Sequence, residues 1–111
     1  MAEVLSYAEI VKRLIREYAA VEPSLGEVEV EAVFDDGQGH YELVYAGWVG
    51  TNRVHGQVLH VDIRGGKIWV QYDGTERGIA LDLLDAGVPR EDVVLAFHHP
   101  SQRALTNFGV G

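Results

Sequence analysis

Cysteine is absent from the 111-residue chain, which removes disulfides, thiolate nucleophiles and thiolate metal sites together. Basic residues are scarce: nine Lys and Arg face seventeen Asp and Glu, for a formal net charge of −8. That balance opposes the counterion release behind most nonspecific DNA binding. It suits a protein partner with a basic face, because complementary potentials speed association and exclude wrong partners. No apolar run approaches the roughly 20 residues of a membrane span, and MAEVLSYAEI has no basic segment ahead of an apolar core. A cytoplasmic location is the expectation. Internal repeats, low-complexity tracts, phosphate-binding glycine loops and dinucleotide fingerprints are missing as well.

What remains is the composition of an ordinary globular protein, 47% hydrophobic and 23% charged, and its length suits a single domain over residues 1–111. Ser6 and Glu9 stand at capping-box spacing, followed by Ile10, Leu14, Ile15 and Tyr18 at helical intervals. A first helix over Ser6–Ala20 follows, with Lys12, Arg13 and Arg16 on its solvated side, ended by Pro23, Ser24 and Gly26. From Glu27 the period becomes two. Val28, Val30, Ala32 and Phe34 alternate with Glu27, Glu29 and Glu31, which predicts a strand with one apolar and one acidic face.

Turn residues at 35–39 lead into a second strand near His40–Val49, a third over Val54–Ile63 and, after Gly65-Gly66, a fourth over Lys67–Tyr72. Four strands on short loops imply an antiparallel meander whose apolar face the first helix covers. Ile79, Leu81, Leu83 and Leu84 then mark a second helix ending at Gly87. Val93–Phe97 reads as a short strand or packed extended piece, and one helical turn fits after Pro100. The fold class is α+β.

Chemistry has few places to reside. Asp73 and Glu76 form a pair of carboxylates beside Gln71, Tyr72 and Thr75, and such a pair serves acid–base catalysis when its environments differ. A structural account competes: Asp73-Gly74 is turn chemistry, Asp73 or Thr75 is a good N-cap, and Glu76 in a first helical turn complements the helix dipole. Gln71 and Tyr72 are left unexplained by capping. The histidines His40, His55, His60, His98 and His99 are a second candidate: His60 and Asp62 share one strand face and could meet His98 or His99 at a metal, but no metal-binding spacing occurs, and no metal or cofactor is expected. Trp48, Trp69, Tyr41, Tyr45 and Tyr72 form either core or an exposed aromatic platform.

Three ordered segments carry a resemblance: YAGW at 45–48, RVHGQVLHVDI at 53–63 and GKIWVQYDGTERGIALDLLDAGVPREDVVLAFHHP at 66–100. Together they resemble the XisI-like family, the fdxN element excision controlling factor proteins, over nearly the whole chain. The resemblance implies an α+β fold with an antiparallel sheet and a regulatory, noncatalytic role. It implies action alongside a companion XisH-like protein and a separate site-specific recombinase that performs the strand chemistry on DNA. No catalytic motif is carried over. One departure is His99, where relatives place a proline.

The expected interaction surface therefore comprises Gln71, Tyr72, Asp73 and Glu76, the acidic row Glu27, Glu29 and Glu31, and His98. A homodimer through a sheet edge or an exposed aromatic face is a further expectation. The alternative is a small enzyme or ligand-binding domain built on Asp73 and Glu76.

Overall fold

The computed structural model describes residues 6–21 and 26–111. Helix α1 spans Tyr7–Ala19, and Ser6 caps it by accepting the Glu9 N–H on its hydroxyl at 3.2 Å. Ile10, Val11, Leu14 and Ile15 are its buried stripe, at the i, i+1, i+4, i+5 spacing of a helix lying flat on a sheet. The helix stops at the Ala20 cap; Pro23 and Ser24, which the sequence assigns to its end, lie outside the described residues, as do Met1–Leu5.

Four strands follow as β1 (Glu27–Asp35), β2 (His40–Val49), β3 (Asn52–Arg64) and β4 (Lys67–Asp73), each antiparallel to the one before. Helix α2 (Ile79–Asp85) and a single 3-10 turn at Arg90–Asp92 lead to β5 (Val93–Leu95), and α3 (Pro100–Arg103) begins the tail. Strand β5 pairs with β4 in parallel, which completes a five-stranded sheet ordered β1-β2-β3-β4-β5. The meander is thus as expected, with one parallel strand added. That strand needs the α2 crossover, because a parallel neighbour cannot be reached by a hairpin.

Alternation sorts the sheet into two faces. Tyr41, Leu43, Leu59, Val61, Ile68 and Val70 are buried with the α1 stripe and with Ile79 and Leu83 of α2. Helices α1 and α2 pack on that face; the alternate residues His40, Glu42, His60, Asp62, Arg64 and Trp69 share the other. Burying the twelve fully covered apolar side chains, at roughly 1.5–3 kcal/mol each, is the main stabilising term.

Two irregularities break the ladders. Leu43 pairs with Leu59 but Val44 with Gln57, which leaves Val58 as an extra residue. His60 pairs with Tyr72 but Val61 with Val70, which leaves Gln71 unpaired. Bulges bend a strand and re-aim its side chains, and the second one sits in the segment that capping left unexplained.

The sheet's two edges differ. At β5 the tail returns, with the Gly109 N–H donating to the Val93 carbonyl at 2.7 Å and a parallel bridge from Val94 to Gly109. At β1, no strand among the described residues pairs with the outer side.

Candidate functional site

The candidate surface is assembled on the sheet face that α1 and α2 leave uncovered. Glu27, Glu29 and Glu31 stand opposite Trp48, Ala46 and Val44 in the β1–β2 ladder, and all three glutamates are exposed. Their row is the acidic strand face expected from the alternation. Trp48 is 47% exposed, with the Arg53 guanidinium 5.2 Å from its ring centroid. A shallow depression of about 480 Å³ runs between them, lined by Glu27, Val28, Glu29, Ala46, Gly47, Trp48 and Arg53.

The aromatic platform divides. Tyr41 is core at 1% exposure, while Trp69 is half-buried beneath Arg103, whose guanidinium lies 5.5 Å from its ring. Tyr72 is exposed opposite His60. Gln71, displaced by its bulge, donates from Nε2 to Asp62 Oδ2 at 3.2 Å. Gln71 is therefore a second-strand support for Asp62, a role that local sequence did not suggest.

Asp73 is committed to backbone. Its Oδ1 accepts the Thr75 N–H at 2.9 Å and the Thr75 hydroxyl at 2.5 Å, and its Oδ2 accepts the Ile79 N–H at 2.7 Å. The formal N-cap of α2 is Gly78, which has no side chain to offer, so Asp73 caps the helix from six residues upstream. Gly78 has φ +91°, a conformation that glycine adopts without strain. Glu76 departs from expectation: it lies in the bend before α2, not in its first turn, and is exposed. The two carboxylates thus have different settings, one accepting from the joint before α2 and the other in solvent.

The histidines also regroup. His98 and His99, the expected companions of His60 and Asp62, sit beside α3. The His98 ring lies 4.7 Å from that of Phe97, and His99 caps α3 by accepting the Ser101 N–H on Nδ1 at 3.2 Å. A proline at 99 would have no such acceptor. The strand register instead places His40 opposite Asp62 and His60 opposite Glu42. Among the described residues, the His/Asp/Glu group close enough to share one ion is His40, His60 and Asp62, with donor atoms within 4.8 Å of one another. His40 is one of the candidate histidines, but the sequence does not link it to His60 and Asp62: it is twenty or more positions from both partners and only pairing register joins them.

Elsewhere, carboxylates tie α1 to the β1–β2 turn, to the 3-10 turn and to α2. Lys12, expected in solvent, is largely covered and bridges Asp36 at 3.0 Å and Glu9 at 3.2 Å. The hydrogen bond to Asp36 raises the Lys12 pKa, and Lys12 followed by the Tyr41 hydroxyl holds Asp36 below the usual carboxyl value. Tyr7 donates to Asp92, which pushes its hydroxyl up to about 12. Burial, then a hydrogen bond to Asp82, pushes Tyr18 to about 12 as well. No helix among the described residues is long and apolar enough to cross a membrane.

A family model described as XisI protein matches residues 1–110. Among solved structures, a XisI-like protein from Anabaena variabilis is 43% identical with a TM-score of 0.88, the match covering 95% of this chain and 96% of that one. The fdxN element excision controlling factor XisI of the same organism is 35% identical with a TM-score of 0.81, over 95% and 96% of the two chains. No curated protein matches. The chain belongs to the XisI family.

Proposed function

We propose that the chain is a noncatalytic regulatory protein that acts by binding a companion XisH-like protein, and through it controls excision of a DNA element or a nuclease-like activity. The observation that carries this reading is the uncovered sheet face, where exposed Glu27, Glu29 and Glu31 flank exposed Trp48 next to the β1 edge, with which no strand among the described residues pairs. Such a face offers a basic partner an electrostatic guide, an aromatic anchor and a strand edge on one contiguous surface. The fdxN excision controlling factor to which the chain is similar supports a regulatory role. The commitment of Asp73 to backbone and the exposure of Glu76 weigh against an enzyme built on that pair. In the absence of the partner, the same β1 edge offers a route to a homodimer.

The test is co-purification with the XisH-like protein followed by association kinetics. Replacing all three glutamates by glutamine is expected to slow association about tenfold at low salt and to flatten its salt dependence. Failure of the unmodified proteins to form a complex at micromolar concentration removes the reading.

A further inference from the structure

Two histidines and an aspartate from β2 and β3 reach one point on the uncovered face. His40 Nδ1 lies 2.8 Å from Asp62 Oδ1, His60 Nε2 lies 3.0 Å from the same oxygen, and the two ring nitrogens are 3.1 Å apart. Protons alone serve this triangle poorly. If both rings donate to Oδ1, two N–H groups crowd together across 3.1 Å; if one ring accepts from the other, it has no proton on that nitrogen for Oδ1.

A cation satisfies all three lone pairs at once. A tetrahedral ion held at about 2.0–2.1 Å spaces its donors by about 3.3 Å, so each edge needs to open by only a few tenths of an ångström.

The surroundings are those of a supported ligand set. His40 turns its other nitrogen, Nε2, toward Glu42 Oε2 at 3.4 Å, and Gln57 Nε2 donates to Glu42 Oε1. A carboxylate behind a histidine fixes its tautomer and orientation for a metal. Asp62, whose side chain is only 7% exposed, keeps Oδ1 toward the histidines while Oδ2 accepts from Arg64 Nη2 and Gln71 Nε2, each at 3.2 Å. The bulge at Gln71 is what brings that amide into range. Charge is balanced as well, since Arg64 offsets one of the two carboxylates in the group.

We propose that His40, His60 and Asp62 form a three-donor site for a divalent transition-metal ion of the Zn²⁺ class, with the fourth position facing solvent on the uncovered side of the sheet. Two imidazoles and one carboxylate favour such ions over Ca²⁺ and Mg²⁺, which take oxygen donors. The site stands independently of any protein partner.

Titrating Zn²⁺ into the metal-free protein by calorimetry tests it. One equivalent is expected to bind saturably, with loss of that binding in His40→Gln and in His60→Gln and full retention in the His98→Gln/His99→Gln double variant. Glu42→Gln is expected to weaken affinity about tenfold without abolishing it. Absence of saturable binding at micromolar Zn²⁺ overturns the proposal, as does stoichiometric binding that survives a His40→Gln/His60→Gln double variant. Should the histidine variants fail to fold, Co²⁺ added to the unmodified protein decides: intense visible bands of a four-coordinate site at one equivalent support it, and the pale spectrum of the hydrated ion alone overturns it.

Discussion

The Ile79 N–H donates to Asp73 Oδ2 at 2.7 Å, so the last residue of β4 caps the helix that follows it. Through this bond and those to Thr75, one carboxylate fixes the whole strand-to-helix joint. Asp73→Ala is expected to destabilise the fold by about 2 kcal/mol, the loss of a charged cap with its turn bonds. Asp73→Asn, which keeps one acceptor oxygen, is expected to lose about half of that. Urea unfolding checks both; an unchanged midpoint for Asp73→Ala would show that the joint is held by α2 packing alone.

Gly47 lies opposite Val28 of β1. A Cβ there would stand 2.0 Å from the Glu27 carbonyl oxygen and 2.6 Å from the Val28 Cα, both backbone atoms that cannot rotate away. Gly47→Ala is therefore expected to push β1 off the sheet at that end, at a cost of about 1–3 kcal/mol. Hydrogen exchange should speed up across Glu27–Asp35 and stay slow in β3 and β4. Full protection of β1 in the folded variant would contradict this.

The Lys12–Asp36–Tyr41 chain, at 3.0 and 2.8 Å, makes stability depend on pH at both extremes. Lys12 and Tyr41 depress the Asp36 pKa, so its contribution is complete above the ordinary value of 3.8 and is lost as pH falls through the lower folded value. Tyr41 is pushed up to about 12, by burial first and Asp36 second, so its contribution is complete below 10 and is lost as pH rises toward 12. Asp36→Asn should flatten the acid limb of stability while lowering the Tyr41 midpoint only in part, because burial remains. Denaturation midpoints against pH, with tyrosinate absorbance, measure both; an acid limb unchanged in Asp36→Asn would sink the assignment.

Much of this was legible in the chain. Ser6 with Glu9, the alternation from Glu27 onward and the Gly65-Gly66 turn are local signals, and the elements they mark form where the patterns place them. The acidic row of β1 was equally readable, since alternate residues on a strand share a face whatever the tertiary contacts are. The parallel pairing of β5 was not, because three apolar residues specify burial but neither direction nor neighbour.

Sequence alone thus determined the helix on a meander, the acidic strand face and the turn character of Asp73-Gly74. Tertiary structure decided what the polar residues do. It sent Asp73 to a backbone six residues away, drew Lys12 out of solvent to Asp36, and chose His40 rather than His98 or His99 as the companion of His60 and Asp62. The physical reason is that hydrophobic periodicity acts over a few residues, whereas side-chain convergence depends on strand register and bulges. A single extra residue such as Gln71 re-aims the side chains on that face.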